Sequence, residues 1–180
     1  SLQENLRQNE ILQSQINFLE EHGFSFVPAK VISRGIDQNI NLLTINRGSD
    51  SGLADGMLVV TGDGLVVGRL VNVKNVSSQI LLLSDSRSEI SVSIPTKDKS
   101  IGVVEGNLDV SLKLNLIPKE EKLEPGQLII TSGLEEQIPR GLLIGELDQI
   151  NYDEREPFAS GTIKQPIDIH NISIVSIVLP

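Results

Sequence analysis

Ser49-Asp50-Ser51-Gly52 is the stretch of this chain nearest to a nucleophile motif. A serine hydroxyl attacks a carbonyl only when a base takes its proton, and an acid usually orients that base. The chain has two histidines, His22 and His170. His22 ends a helical segment and His170 falls in a loop near the C-terminus, far in sequence from Ser51. A Gly/Asp turn between strands is the better reading of 49–52. Asp63, Asp85, Glu89, Asp98 and Asp109 stand singly at turns, with no EF-hand and no His-x-x-x-His spacing, which argues against a dedicated metal site. Glu120-Glu121 and Glu135-Glu136 read as solvated loop charges. Gly62-Asp63-Gly64 is not followed by a helix, so it is no phosphate loop. Asn75-Val76-Ser77 and Asn171-Ile172-Ser173 fit the glycosylation pattern, which means little without a secretory context. The expectation is a protein that is not an enzyme, with no catalytic, metal or cofactor site and no cofactor.

Composition narrows the partners. Asp and Glu number 24 against 15 Lys and Arg, a net charge of −9. With four Phe, one Tyr and no Trp, the chain lacks both the basic face and the stacking rings that nucleic acid requires. There is no cysteine, hence no disulfide and no thiolate zinc site. The core must be Ile, Val and Leu, which suits strands. No apolar run is long enough to span a membrane. The chain opens on Ser1 in the middle of a helical pattern and is expected to be a fragment.

Residues 1–22 lack Gly and Pro and place Leu2, Asn9 and Ile16 at heptad position a, with Asn5, Leu12 and Leu19 at d. This pattern predicts a coiled coil that self-associates through Leu2, Asn9, Leu12, Ile16 and Leu19, the asparagine favouring a two-stranded pair. A helix of this length, about 33 Å, is marginal alone. The alternative is an amphipathic helix packed on its own domain. Gly23 stops the helix in either case.

A second signal is an internal repeat. Gly56-Met57-Leu58-Val59-Val60-Thr61 and Leu65-Val66-Val67-Gly68-Arg69-Leu70 return as Gly126-Gln127-Leu128-Ile129-Ile130-Thr131 and Leu142-Leu143-Ile144-Gly145-Glu146-Leu147. Gly56 thus corresponds to Gly126, Thr61 to Thr131 and Gly68 to Gly145, each copy reading strand, turn, strand. Strands are expected near 29–34, 41–47, 57–61, 65–74, 79–83 and 90–95, then 101–106, 111–117, 127–131, 142–150, 160–166 and 172–179. The fold class is mainly β: an N-terminal coiled-coil helix followed by two small, related six-stranded β barrels. The division is 1–28 for helix and linker, 29–98 for the first barrel and 99–180 for the second, with 96–100 as the linker-like break. Exchange of strands, making one barrel an insertion in the other, is the alternative arrangement. The edges and grooves of such modules suit protein recognition.

Several ordered segments resemble one known family. They are Ala29-Lys30-Val31-Ile32-Ser33-Arg34, Ile45-Asn46-Arg47-Gly48, Gly52 with Gly56-Met57, Val67-Gly68-Arg69, Leu81-Leu82-Leu83-Ser84-Asp85, and Thr131-Ser132-Gly133-Leu134 with Pro139-Arg140-Gly141-Leu142-Leu143-Ile144-Gly145. Following a coil in this order, they resemble the rod shape-determining protein MreC family of bacteria. The chain departs from the family pattern at Leu58 and Leu143, where proline is common. It departs again at Glu135, Glu136 and Ile138, which bear on the 132–141 loop. The resemblance implies a single-pass protein anchored through a span outside this sequence, with coil and barrels on the extracytoplasmic face of the inner membrane. It implies a non-catalytic scaffold of the cell-elongation machinery that associates with itself, as a dimer or higher, and binds the elongation transpeptidase and other membrane elongation proteins. A periplasmic adaptor with coil and β domains is the rival from another class, and a hydrolase on a protease-like double barrel is a third.

Overall fold

The computed structural model describes residues 2–35, 41–62, 64–107 and 111–180. Helix α1 (Leu2–Glu21) carries Glu4 in its first turn, where the helix dipole favours an acid. It ends where Gly23 turns left-handed at φ +74 and Phe24 N donates to the Leu19 carbonyl. No helix among the described residues is long and apolar enough to cross a membrane.

Twelve strands follow: β1 (Phe26–Arg34), β2 (Leu42–Ile45), β3 (Leu58–Thr61), β4 (Leu65–Val71), β5 (Ser78–Leu82), β6 (Glu89–Ser93), β7 (Gly102–Glu105), β8 (Ser111–Pro118), β9 (Leu128–Thr131), β10 (Leu143–Asn151), β11 (Phe158–Lys164) and β12 (Ile174–Val178). Each lies within a few residues of an expected strand, because alternating Ile, Val and Leu between Gly, Asp and Pro turns marks strands well.

The chain forms two compact units, Ser1–Leu82 with Asp168–Pro180, and Leu83–Ile167. In the first unit the antiparallel pairings run β1–β2–β5–β4–β3–β12 and close on β1. This is a closed six-stranded barrel. Leu43, Ile45, Val66, Leu70, Ile80, Val175 and Ile177 fill its core. Arg34 brings the returning chain to it: the guanidinium donates to the carbonyls of Ile169 (2.6 Å) and Ile172.

In the second unit the pairings run β7–β8–β11–β10–β9–β6, and β6 also pairs with β7. This is the order of the first unit, strand for strand. The sixth strand of each run has changed places: β6 pairs with β7 and β9, whereas β12 pairs with β1 and β3. The units therefore divide at 82/83 and 167/168 rather than at 98/99. Residues 96–100 are the β6–β7 connection and not a linker, since Ser93 Oγ lies within hydrogen-bond reach of the carbonyls of Lys97 (3.1 Å) and Lys99 (2.6 Å). Every strand among the described residues has a partner on each side along at least part of its length, so no strand lies wholly at a sheet edge. That corrects the expectation of exposed edges.

Candidate interaction surfaces

The helix divides into two halves. Residues 2–10 are exposed apart from Gln8, with Leu2 77% exposed and Asn9 also on the surface. From Ile11 onward the apolar side turns onto the first barrel: Leu12 and Ile16 are half-buried, Gln15 and Leu19 wholly buried. Leu19 is thus spent within its own chain and cannot serve a partner helix. A heptad stripe reports an apolar face without saying what covers it.

Gln15 is the residue that the sequence reading missed. Its Nε2 donates to Thr61 Oγ1 and to the Ile174 carbonyl, each at 3.2 Å, and Ser176 Oγ donates to its Oε1 at 2.9 Å. One amide therefore joins α1 to β3 and β12, and it satisfies the buried hydroxyl of Ser176. Nearby, Phe18 lies against Gly64: a Cβ there would fall 2.0 Å from Phe18 Cε1, and Gly64 has φ +81. The available signal was a polar residue continuing the buried stripe between Leu12 and Leu19.

The paired residues of the repeat have matching geometry. Gly56 (φ +91) donates to the Leu70 carbonyl and Gly126 (φ +93) to that of Leu147, both at 2.8 Å. Gly68 and Gly145 stand where another strand's backbone comes close. A Cβ would lie 2.1 Å from the Leu81 carbonyl oxygen in the first case and 2.4 Å from that of Lys164 in the second. Thr61 and Thr131 each end a strand but find different partners. Thr131 Oγ1 donates to the Pro139 carbonyl (2.6 Å) and accepts from Leu142 N (3.0 Å), so the long 132–141 loop folds back on it. Thr61 Oγ1 instead accepts from Gln15 of α1 (3.2 Å) and donates to the Ile174 carbonyl of β12 (3.3 Å).

Glu120 and Glu136 are exposed as expected, but their neighbours Glu121 and Glu135 are engaged. Glu121 is buried, and its carboxylate accepts from Lys99 (3.1 Å) and Lys97 (3.4 Å). The Lys99 hydrogen bond is the largest influence holding its carboxyl below the usual range, with Lys97 adding to it against desolvation. Glu135 accepts from Ser91 N at 3.2 Å, while Ile138 of the same loop is buried.

The residues first considered for catalysis are not assembled. Ser51 closes a 3-10 turn, Ser49–Ser51. His22 stacks on Phe18 with ring centroids 4.3 Å apart, its Nδ1 lying 2.8 Å from the Phe18 carbonyl. His170 sits in a second such turn, its backbone N donating to Asp168. Among the described residues neither histidine bonds to Ser51, and no three His, Cys, Asp or Glu cluster as metal ligands. Asp85 instead holds Arg87 through two side-chain bonds of 2.8 Å. Asp63 and Asp109 lie outside the described residues.

These features define a mainly β protein built on a closed six-stranded antiparallel barrel, with one N-terminal helix docked on it. The family described as "Rod shape-determining protein MreC, barrel core" matches residues 31–179, and the chain belongs to that family. It is 28% identical over 153 residues to the cell shape-determining protein MreC of Listeria monocytogenes, covering 83% of this chain and 52% of that protein. A solved MreC structure superposes with a TM-score of 0.84 at 20% identity, covering 97% of this chain and 98% of that one. The MreC of Helicobacter pylori, solved in complex with penicillin-binding protein PBP2, superposes with a TM-score of 0.67 at 18% identity over 86% of this chain and 98% of that one. At these identities the structural likeness speaks for the fold alone. The chain spans about half the length of the Listeria relative.

Proposed function

We propose that this chain belongs to a non-catalytic scaffold of the bacterial cell-elongation machinery, acting on the extracytoplasmic face of the inner membrane and anchored there by a span outside this sequence. It maintains rod shape by organising peptidoglycan synthesis, and it binds the elongation transpeptidase. Membership of the MreC family carries the reading, and the complex formed by the Helicobacter relative with PBP2 supports the choice of partner. The second unit, which repeats the pairing order of the first, acts as a second barrel. Self-association runs through the free half of α1, where Leu2 and Asn9 remain exposed, and Leu12 and Ile16 contribute only what the barrel leaves uncovered.

Calorimetric titration of the 180-residue chain with the transpeptidase ectodomain of the same organism tests this. A saturable heat with a Kd on the order of micromolar is expected, weakening with salt because the chain is acidic. Absence of heat and of co-sedimentation at high micromolar concentrations, with both proteins folded, overturns it.

A further inference from the structure

The heptad seam of α1 is unevenly built. Its exposed half offers Leu2, Asn5 and Asn9, one apolar side chain and two amides. Its docked half offers Leu12, Ile16 and Leu19, all apolar. Leu19 is 0% exposed against the first barrel, and the other two are half-buried. Apolar side chains at positions a and d supply the drive for helix pairing. The barrel therefore holds the strong part of the seam and leaves the weak part free. Residues 2–10 make about two and a half turns, too few to hold a pair of helices together by themselves.

The docked contact can open without stranding a polar group. All five residues of β12 are buried. Val175 and Ile177 point into the barrel core, so Ile174 and Ser176 lie on the outer face, where Gln15 of α1 bonds to both. A serine on an outward position is at ease in water. Thr61 Oγ1, the Ile174 carbonyl and the Gln15 amide also exchange their mutual bonds for bonds to water once α1 leaves. Gln15 falls at heptad position g, a flank that stays wet in a paired helix. The apolar side of the contact is incomplete as well. Between Leu12 and the barrel residues Pro28, Ala29 and Ile174 lies an open cleft of about 170 Å³. A partner helix would cover Leu12 and Ile16 more fully, but it also needs Leu19, and Leu19 has no free surface to share.

We infer that the first barrel is an autoinhibitory clamp on helix pairing. Docking of α1 on β3 and β12 and pairing along Leu12, Ile16 and Leu19 exclude one another, so a second copy of this chain engages the full seam only after α1 leaves the barrel. This control rests on the self-association proposed above and regulates it. In the docked state, copies meet through Leu2 and its neighbours alone, and weakly. One pair needs two released helices, so the inhibition enters squared: with about one copy in ten released, pairing is weakened about a hundredfold. A high local density of copies tips the balance toward the pair, because only the released form can enter it.

Sedimentation equilibrium of the 180-residue chain up to about 1 mM, with amide hydrogen exchange in dilute solution, tests the clamp through two variants outside the seam. Ser176→Ala alters no residue of α1 and removes the donor to Gln15 Oε1. Gln15→Glu sets a carboxylate against the Ile174 carbonyl, while glutamate at position g is ordinary in a paired helix. Each should speed exchange in residues 11–19 and tighten the pair at least about tenfold. Adding Ile16→Asn to Gln15→Glu should abolish that gain. Faster exchange with pairing no tighter than in the unaltered chain would overturn the clamp and leave self-association through residues 2–9 standing. Tighter pairing with residues 11–19 still protected in dilute solution would overturn it too, since the seam would need no release. Exchange as slow as in the unaltered chain in both variants, with pairing unchanged, would mean that the contact does not open, and would overturn it as well. No association in any of these proteins would instead refute the self-association on which the clamp acts.

Discussion

Replacing Gly68 by alanine should unfold the first barrel at markedly lower temperature, although only a methyl group is added. Gly68 is not among the glycines with positive φ, so backbone strain is not the cause. The cost is a collision: the new Cβ would lie 2.1 Å from the Leu81 carbonyl oxygen and 2.9 Å from Ile80 Cγ2. A carbon–oxygen contact tolerates about 3.3 Å, so the Leu81 backbone must retreat by more than about 1 Å. That disturbs the β4–β5 ladder at Gly68↔Leu82 and Arg69↔Leu81. One or two backbone hydrogen bonds at about 1 kcal/mol each, with 1–2 kcal/mol of overpacking, give a loss of about 2–4 kcal/mol. In a unit of this size that lowers Tm by roughly 10–20 °C. Gly145→Ala should behave alike, because its Cβ would lie 2.4 Å from the Lys164 carbonyl oxygen. Gly52→Ala is the control: Gly52 has φ +80 and open space around an added Cβ, so only backbone strain of about 1–2 kcal/mol applies. Thermal and urea unfolding followed by circular dichroism compares the three. If Gly68→Ala and Gly145→Ala lose no more than Gly52→Ala, the close-approach argument fails, and the structural equivalence of the two glycines fails with it.

Two further changes address the helix and the buried glutamate. Gln15→Leu keeps the bulk and removes the amide, leaving Ser176 Oγ without its partner. It should cost about 1–3 kcal/mol and speed hydrogen exchange of amides in residues 11–19, whereas exchange as slow as in the unaltered chain would mean that apolar packing alone docks α1. Glu121→Gln should destabilise the second unit by a few tenths to about 1 kcal/mol at pH 7. Because the folded-state carboxyl is held below its ordinary value of 4.5, its contribution is complete above that value and fades as pH falls through the lowered one. Urea unfolding of both proteins between pH 7 and about pH 2.5 should show the gap closing in acid, and a gap independent of pH would rule out the ion pairs as its source.

The strands were legible in the sequence because their signal is local. Alternating residues such as Ser91-Val92-Ser93-Ile94, punctuated by Gly, Asp and Pro, mark a strand wherever its partners lie. The repeat was legible for a similar reason: Gly56 and Gly126 both need a left-handed backbone, and Gly68 and Gly145 both need clearance. The exchange of β6 and β12 could not be read in the same way. Nothing in Ile174–Val178 distinguishes pairing with β1 from pairing with β7, and the Arg34 bonds that favour β1 join residues far apart in sequence. The heptad stripe likewise failed to separate a barrel wall from a second helix, since both ask for Leu12, Ile16 and Leu19. Glu121 looked like its neighbour Glu120 because its partners, Lys97 and Lys99, lie more than twenty residues away in sequence.

The pairing pattern also constrains how such a protein can recognise anything. An open sheet binds partners by lending them a strand edge, where backbone groups give affinity with little regard to side chains. Here β1–β2–β5–β4–β3–β12 closes on itself, and each strand of the second unit has two neighbours, so most of the backbone is already used and only strand ends such as 116–118 lack a second partner. Recognition falls to outward side chains, to loops such as 132–141 with its exposed Leu134, and to the free half of α1. Side-chain surfaces on a rigid wall differ from one strand to the next, so different faces can hold different partners at once. A scaffold needs that property and an isolated catalyst does not. It also separates the two uses of the helix: Gln15 and Leu19 fix its C-terminal half to the barrel, and this aims the exposed Leu2 and Asn9 in a direction set by the barrel itself. Any pairing of helices between copies would therefore carry the orientation of the barrel into the assembly, and loosening Gln15 would blur that orientation without touching a single residue of the contact.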